Sequence, residues 1–177
     1  DIIDGFRRKG YTTIGTAAMG WFDPSTPTGF HLSHNFEHYL YAGAHSIKRQ
    51  ISFVLDHLDA AKGDTFTFIN VGETHVPYWH EGADWSPHDN PCQPFQTEDR
   101  YTECRDRQQA CLAFADDHLG EVLSRHMDAT IVICSDHGDC WGEDGLWEHG
   151  IAHEMTTTVP LLVRLRGNPV HQEEILP

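Results

Sequence analysis

The sequence IVICSDHGDCWGEDGLWEHG, residues 131–150, joins an apolar run to a group of polar side chains. Its first four residues are two isoleucines, a valine and a cysteine, and β-branched residues in a short apolar run are typical of a buried strand. Ser-Asp-His-Gly follows at once, and several more acidic residues and a histidine lie within the next twelve positions. The stretch therefore predicts a buried strand whose end carries ligands.

Strands and helices are predicted to alternate along the rest of the chain. Apolar residues recur at helical spacing between residues 44 and 58, and TFTFINV (65–71) has the aromatic and β-branched content of a strand. Prolines and glycines predict loops at 22–30 and 76–99. Further helices are predicted at 1–9 and 99–125, and further strands at 11–17, 129–135 and 159–165. The pattern indicates one α/β domain over 1–177, a mainly parallel sheet flanked by helices.

The charge of the chain excludes some classes of partner. The formal net charge is −15, so the surface repels phosphate backbones and we expect no nucleic-acid partner. A bound metal ion can reverse the sign locally and admit an anionic substrate. No apolar run approaches the roughly 20 residues of a membrane helix, so no membrane span is expected. The sequence leaves the localisation unknown, with the cytoplasm slightly favoured.

Two predicted strands end in polar residues. Ligands in open α/β sheets bind beyond the carboxyl ends of the strands. The segment FINVGETHVPYW (68–79) brings Glu73 and His75 to one such end, and the 131–150 segment brings Asp136 and His137 to another. We expect both groups to lie at the same edge of one sheet.

Asp136 and His137 are candidate metal ligands. A carboxylate oxygen with an imidazole nitrogen suits Zn²⁺ or Mn²⁺, and further oxygen ligands would admit Ca²⁺ or Mg²⁺. The alternative is that Asp136 caps the following turn and His137 is a hydrogen-bonded neighbour.

Two other histidines are candidates for work on the substrate. His75 precedes Pro77 by two residues, and the proline stiffens the loop that holds the imidazole. There it can donate to an oxyanion or protonate a leaving group, or it can bond to its own loop. His149 and His153 are four residues apart and are predicted to share one helical face, which alone is a weak indication of a site.

Read in order, these segments resemble the sulfatase branch of the alkaline phosphatase superfamily. TIVICSDHGDCWGEDGLWEHGIAHEMTTTVPLLV (130–163) is similar, without a gap, to that family's strand, S-D-H-G, G-E-H-G-L-W-G-K-G and V-P-L pattern. GETHVPYW resembles its H-x-P-Y segment, and FRRKGYTTIGTAAMGW resembles an earlier helix and strand. The resemblance implies an alkaline-phosphatase-like fold.

The resemblance also implies roles for single residues. Asp136 and His137 would be ligands of the catalytic divalent cation, which is Ca²⁺, Mg²⁺, Mn²⁺ or Zn²⁺. His75 would contact the sulfate or phosphate group or the leaving oxygen. His149 stands where these enzymes usually carry an anion-binding lysine. Glu148 and His153 flank that position, and the resemblance implies no role for them.

The chain departs from the family pattern in two ways. Thr16 and Ala18 stand where the family often has an anion-binding lysine and histidine. The family's first strand, with two metal-binding aspartates, and its nucleophile segment have no counterpart here. We therefore expect a C-terminal part of the catalytic domain, incomplete at its N-terminus, whose site is completed by an N-terminal segment or a partner chain.

Two main functions remain open from the sequence, and a repurposed metalloenzyme with different chemistry is a smaller third option. The first is a metal-dependent hydrolase of sulfate, phosphate or phosphonate esters, acting on a small anionic ester and inactive as this chain alone. The alternative is a non-catalytic sulfatase-like binding or partner subunit. The five cysteines lack C-x-x-C spacing, and the sequence leaves open whether Cys92 and Cys104 pair in an oxidising compartment.

Overall fold

The computed structural model describes residues 1–92 and 98–167. Positions 93–97 of the predicted 76–99 loop, and positions 168–177 of the predicted domain, lie outside the described residues. The helices are α1 (Ile2–Arg8), α2 (Pro27–Ser33), α3 (Ile47–Ala60), α4 (Tyr101–Arg125) and α5 (Glu154–Thr157). The strands are β1 (Thr12–Ala17), β2 (His38–Tyr41), β3 (Thr65–Asn70), β4 (Ile131–Cys134), β5 (Cys140–Trp141), β6 (Trp147–Glu148) and β7 (Leu161–Arg164).

Strands β1, β2 and β3 form a parallel sheet, sheet A, in the order β2-β1-β3. β1 and β3 pair over six residues, and β1 and β2 over four. Parallel strands need helical crossovers, and α3 supplies the one between β2 and β3. Sheet A with its helices is the predicted parallel α/β architecture.

The main core lies between sheet A and the helices α3 and α4. Its fully buried centre is Ile14 of β1, packed against Ile47 and Val54 of α3. Ala115 and Val122 of α4 close the other side. The helical spacing of the α3 residues is the pattern that predicted this helix from the sequence.

The segment predicted as a loop at 22–30 contains the start of α2, and β2 was not predicted at all. Thr26 is the N-cap of α2, its hydroxyl accepting a hydrogen bond from the Gly29 amide at 3.0 Å, and Pro27 occupies the first turn. Threonine before proline is a helix-start signal that the proline and glycine content concealed. β2, with the sequence HYLY, has only four residues and is too short to predict a strand by composition.

Strand β4 is not in sheet A, which corrects the prediction that β3 and β4 end at one edge of a single sheet. Within the described residues β4 pairs only with β7, antiparallel over four residues. We call this pair the β4–β7 ribbon. Its apolar side chains are exposed on both faces, including Val132, Leu161 and Leu162. No described strand bridges sheet A and the ribbon, so β4 does not continue the edge of sheet A at which β3 ends.

No helix among the described residues is long and apolar enough to cross a membrane.

Candidate functional site

His75, His137 and His149 come together although β3 and β4 lie in different sheets. One ring nitrogen from each lies within 4.8 Å of those of the other two. The ring centroids of His137 and His149 are 4.0 Å apart, and His75 lies 4.9 Å from His149 and 5.8 Å from His137. The three residues follow β3, β4 and β6. We call them the three-histidine cluster.

Every ring of the cluster has its Nδ1 engaged by an oxygen. His75 Nδ1 lies 2.9 Å from the Val76 carbonyl oxygen, and His137 Nδ1 lies 3.1 Å from that of Gly138. A carbonyl oxygen only accepts, so each Nδ1 carries the proton and donates it. The Nε2 lone pair of each neutral ring is then free for ligation.

His149 is oriented by a carboxylate. Its Nδ1 lies 2.6 Å from Oδ1 of Asp139, whose side chain is buried. An imidazole that donates to a carboxylate through one nitrogen, and binds a metal through the other, is a recurring arrangement in metalloproteins. Three nitrogen donors of this tautomer fit Zn²⁺ well, and Mn²⁺ would need carboxylate oxygens in addition. The residues present therefore suit a divalent cation.

Asp139 belongs to a buried hydrogen-bond chain that sequence reasoning missed. The hydroxyl of Tyr78 donates to Asp139 Oδ2 at 2.7 Å, and Trp141 Nε1 donates to the Tyr78 oxygen at 2.9 Å. Burial, and then the neighbouring Asp139, raise the pKa of Tyr78 far above its ordinary value, so the hydroxyl stays protonated as a donor. Tyr78 and Asp139 are 61 residues apart. The sequence did show an aspartate, Asp139, directly after S-D-H-G. Its partner Tyr78 could be identified only from the structure.

The turn after β3 sets the position of His75. The His75 amide donates to the Gly72 carbonyl, and the Tyr78 amide donates to the His75 carbonyl at 2.8 Å. A Cβ on Gly72 would lie 2.8 Å from the Cβ of Ala18. The turn thus packs against β1 only because residue 72 lacks a side chain and residue 18 is small.

The turn after β4 depends on Gly138. Its amide donates to the Thr156 carbonyl at 3.0 Å, and a Cβ there would lie 2.1 Å from the Met155 carbonyl oxygen. The Ser135 hydroxyl donates to the His137 carbonyl at 2.5 Å. These contacts turn the chain at once after the strand and direct His137 to the cluster.

Asp136 lies beside the cluster and is mostly exposed. Its Oδ1 is 3.8 Å from His137 Nε2, and 85% of its side chain is accessible. The carboxylate therefore lies on the same side of the imidazole as the nitrogen that is free for ligation. It remains the predicted second ligand.

Other residues singled out in the sequence have structural partners. Buried Glu73 accepts a hydrogen bond from the Ile47 amide at 2.8 Å and so caps α3, whose N-cap Ser46 makes no side-chain cap bond. Thr16 is buried and accepts from Gln50 Nε2 at 3.3 Å. Thr16 and Ala18 are both buried core residues here. They occupy the positions at which the resemblance implied an anion-binding lysine and histidine.

His149 and His153 do not share a helical face, which corrects that prediction. His149 follows β6, whereas His153 is the N-cap of α5 and its Nδ1 accepts from the Met155 amide at 3.1 Å. Glu148 Oε1 accepts from Asn90 Nδ2 at 2.7 Å. The five residues 149–153 form a bend because Gly150 takes a positive φ of 82°.

Comparison with known proteins connects this geometry to a family. The sulfatase family model matches residues 1–175. A choline-sulfatase of Rhizobium meliloti (strain 1021) is 34% identical over 73 residues, which is 38% of this chain and 14% of the relative. The matched region is thus a small part of that enzyme.

Solved structures share the fold at low identity. The C-terminal periplasmic domain of EptC from Escherichia coli superposes with a TM-score of 0.69 at 13% identity, over 94% of this chain and 52% of that one. The same domain in complex with Zn gives a TM-score of 0.64. The periplasmic domain of the phosphoethanolamine transferase EptC from Campylobacter jejuni gives 0.63 at 15% identity, over 93% and 55% of the two chains.

The chain spans about half the length of these solved structures. The family match over nearly all of the sequence, with an alkaline-phosphatase-like fold, confirms the resemblance seen in the S-D-H-G and H-x-P-Y segments. The chain belongs to the sulfatase family.

Proposed function

We propose that this chain is the C-terminal part of a metal-dependent hydrolase that acts on small sulfate, phosphate or phosphonate esters. The observation that carries the proposal is the three-histidine cluster, in which every Nδ1 donates to an oxygen, so that Nε2 is the nitrogen left for a ligand or an anion. Such pre-oriented imidazoles are what a metal-assisted hydrolase needs, and the chain's family membership supports this reaction class.

In this proposal Asp136 and His137 hold the divalent cation, and His75 and His149 contact the anionic ester. A bound cation would supply positive charge to the oxygens of the sulfate or phosphate group. As the imidazolium, His75 donates from Nε2 to the leaving oxygen or to the anion, while its loop fixes the ring through Nδ1. His149 does the work of the family's lysine, and Asp139 holds its ring in place.

We propose that a further polypeptide segment completes the site. The β4–β7 ribbon exposes apolar residues on both faces, and a strand that is apolar on both faces is typical of a sheet covered on both sides. The solved structures of this fold are nearly twice as long as this chain. The missing segment, from an upstream part of the protein or a partner chain, would pair with β4, cover the ribbon and supply the nucleophile and remaining metal ligands.

One observation favours the second candidate, a non-catalytic binding or partner subunit. Thr16 and Ala18 are buried and serve the core, so the two anion-binding side chains that the family often carries there have no substitute at those positions. A subunit of this kind would keep the fold and the metal without turnover.

Assays of the natural protein loaded with Zn²⁺ or Mn²⁺ test the hydrolase. The substrates are aryl sulfates, phosphates and phosphonates, together with choline sulfate because one relative is a choline-sulfatase. We expect turnover of one class and a loss of about 10²-fold or more in kcat for His75→Ala. The control His31→Ala changes an exposed histidine of α2 and should leave kcat unaltered. Bound metal without turnover of any class would establish the second candidate instead.

Metal analysis after dialysis separates the proposed ligands from the anion contacts. His137→Ala should abolish metal retention, Asp136→Ala should weaken it, and His75→Ala should leave the metal in place. If His75→Ala and His149→Ala abolish retention while Asp136→Ala does not, the three-histidine cluster is itself the metal site and the assignment of Asp136 is wrong.

A further inference from the structure

A cleft of about 500 Å³ lies beside the β5–β6 hairpin and is lined by aromatic rings and carboxylates. Among the described residues that line it, three are aromatic, three are acidic and none is basic. They are Tyr101, Trp141, Trp147, Glu98, Asp99 and Glu143. The proposed hydrolase uses none of these side chains. We call this group the aromatic–acidic cleft.

The pairing of β5 with β6 places two indoles side by side. Trp141 and Trp147 are directly opposite each other in this antiparallel pair, and directly opposite side chains lie on the same face. A Cβ on Gly142 would lie 3.1 Å from the Trp147 ring, so the glycine leaves room for that ring. The centroid of the Tyr101 ring lies 5.7 Å from that of Trp141, at an interplanar angle of 70°. Three rings therefore border one cleft, two of them at a steep angle to each other.

Backbone amides fix two of the three carboxylates. Glu143 Oε2 accepts a hydrogen bond from the Trp141 amide at 2.5 Å. Asp99 Oδ1 accepts one from the Tyr101 amide at 2.9 Å. Each of these acids is thus tied to the backbone of a residue whose ring borders the cleft, and the negative charges stay beside the rings.

Arg100 lies between two cleft residues in the sequence, but it is paired with other acids. Its guanidinium lies 2.8 Å from an oxygen of Asp89 and 2.7 Å from an oxygen of Glu103. The chain as a whole has a formal net charge of −15. The cleft therefore attracts a cation and repels an anion.

The spacing of the acids selects the kind of cation. Within the described residues, only the three-histidine cluster brings three possible ligand atoms within 4.8 Å of one another, so the carboxylates of the cleft do not converge on a metal ion. A methylated ammonium needs no such convergence, because it binds to the faces of aromatic rings. Nearby carboxylates add Coulomb attraction without a hydrogen bond. We propose that the aromatic–acidic cleft is a binding site for a methylated ammonium cation.

The cleft and the three-histidine cluster are built on the same hairpin. Trp141 borders the cleft, and its Nε1 donates to the Tyr78 hydroxyl at 2.9 Å. That hydroxyl donates to Asp139, which in turn holds the His149 ring. The Trp141 side chain therefore lies between the cleft and the hydrogen-bond chain that orients His149. Binding in the cleft does not itself require turnover, so the site does not depend on the proposed hydrolase.

Titration of the natural protein with tetramethylammonium chloride, followed by tryptophan fluorescence, tests the site. We expect a saturable change, because Trp141 and Trp147 border the cleft. Potassium chloride at equal ionic strength should produce no such change, and neither should tert-butanol, an uncharged molecule of similar size. An equal response to potassium would mean that the acids attract any cation, and an equal response to tert-butanol would mean that charge has no part. Either result overturns the proposal, as does no response to tetramethylammonium.

Variants locate the binding. Tyr101→Leu removes a ring that is 41% exposed and should weaken the affinity for tetramethylammonium about 2- to 10-fold, whereas Tyr101→Phe keeps the ring and should bind as the wild type does. Glu98→Gln removes one exposed charge and should weaken binding about 2-fold. Trp21→Leu, at a ring that is 72% exposed outside the cleft, is the control and should leave the affinity unaltered. Equal affinities of Tyr101→Leu and the wild type would overturn the assignment to this cleft.

The ammonium can be a free cation or the alcohol end of an ester, and inhibition of turnover distinguishes these sources. This step rests on the proposed hydrolase function. If the ester's own cation occupies the cleft, tetramethylammonium should raise KM for a trimethylammonium ester and leave kcat unchanged. If a free cation is the ligand, it should act alike on that ester and on an uncharged ester of the same shape, through the link from Trp141 to His149. A protein without turnover contradicts the proposed function, and the titration then remains the test of the cleft.

Discussion

Strands β3 and β4 each deliver a histidine to the same cluster, but they are supported very differently. β3 pairs with the whole of β1 inside sheet A, over a core packed by α3 and α4. β4 pairs only with β7 among the described residues, and its apolar side chains remain exposed. The β3 side of the site is therefore supported by the main core, whereas the β4 side is supported only by the two-stranded β4–β7 ribbon.

The difference shows what holds the cluster together. Since no described strand joins sheet A to the β4–β7 ribbon, His75 and His137 are brought together by the turns after the strands and by hydrogen bonds between them. The chain from Trp141 through Tyr78 and Asp139 to His149 is the main link, because it connects the β3 side to the β5–β6 hairpin. Site geometry here depends on buried polar contacts more than on sheet continuity.

The largest expected effect is on stability, and it tests whether a side chain in sheet A contributes more to folding than one in the β4–β7 ribbon. Ile14→Ala removes a fully buried side chain of sheet A and should lower the free energy of unfolding by about 2 to 5 kcal/mol. Leu162→Ala removes a side chain that is 58% exposed in the ribbon, and for this chain alone the change should stay within about 0.5 kcal/mol. Urea unfolding of both variants measures the two values.

The same pair of variants also tests the completing segment. In the natural protein, if a segment covers the ribbon, Leu162→Ala should become costly while Ile14→Ala should not change. A Leu162→Ala cost that is small in both forms would mean that the ribbon is not a covered surface.

The strands could be predicted from the sequence because an apolar, β-branched run indicates a strand that is buried. The pattern is the same whether the covering residues belong to this chain or to another segment. IVIC and LLVR are apolar on both faces, as a doubly covered strand requires, and the structure leaves those faces uncovered within the described residues. If a further segment covers the ribbon, as proposed, the sequence pattern of these strands reflects that covered state. Sheet membership could not be predicted, because it depends on which strand lies next to β4.

The second prediction concerns the turn that directs His137. Gly138→Ala places a methyl group 2.1 Å from the Met155 carbonyl oxygen, so the backbone must shift. We expect a loss of about 1 to 3 kcal/mol in unfolding free energy, with metal retention reduced in proportion to the displacement of His137. Calorimetry and metal analysis measure these.

Gly120→Ala is the matched control, because a Cβ there meets nothing within 4 Å and the position is helical. It should leave stability equal or slightly higher. If Gly138→Ala behaved like Gly120→Ala, the close approach of the two loops would not determine the position of His137.

The third prediction concerns the link between the two sides. Tyr78→Phe keeps the ring but leaves Asp139 Oδ2 without the hydroxyl donor, in a buried place. We expect a loss of about 1 to 3 kcal/mol in stability. In the complete protein we expect weaker anion or metal binding, because a mobile Asp139 no longer fixes His149.

Comparison of Tyr78→Phe with Trp79→Phe separates this link from general loop packing. Trp79 donates to the Trp85 carbonyl within the same loop and does not contact Asp139. Equal effects of the two variants on binding would show that the loop as a whole, and not the hydrogen-bond chain, positions His149.

The site could be predicted in part. His75 and His137 were found because motif and strand end coincide, and His149 was found from its position in the family resemblance. The structure brings these three together. Tyr78 and Asp139 were not found, because a hydrogen bond across 61 residues leaves no local signal. Glu73 was misleading, since a carboxylate after a strand looks like a ligand but here caps a helix that lacks a side-chain cap of its own. The ligand roles themselves remain predictions.

The smallest expected effect concerns the ionic contacts that anchor the β3 side of the site to α4. Asp89 in the loop accepts hydrogen bonds from Arg100 at 2.8 Å and from Arg107 at 2.5 Å. The side-chain hydrogen bonds from Arg100 and then Arg107 lower the pKa of Asp89 to about 2 from its ordinary value of 3.8. Because the folded pKa is depressed, the stabilisation is complete above the ordinary value and is lost as the pH falls through the folded value.

Asp89→Asn should therefore destabilise the chain near neutral pH and converge with the wild type between about pH 4 and pH 2. The carboxylate is partly exposed, so solvent screening limits the difference at pH 6 to about 1 kcal/mol. Asp116→Asn, on the exposed face of α4, is the control and should match the wild type at each pH. Urea unfolding across this range measures the three proteins. If the difference in unfolding free energy between Asp89→Asn and wild type persisted unchanged at pH 2, Asp89 would stabilise the loop by packing. The charge of its carboxylate would then not stabilise the β3 side of the site.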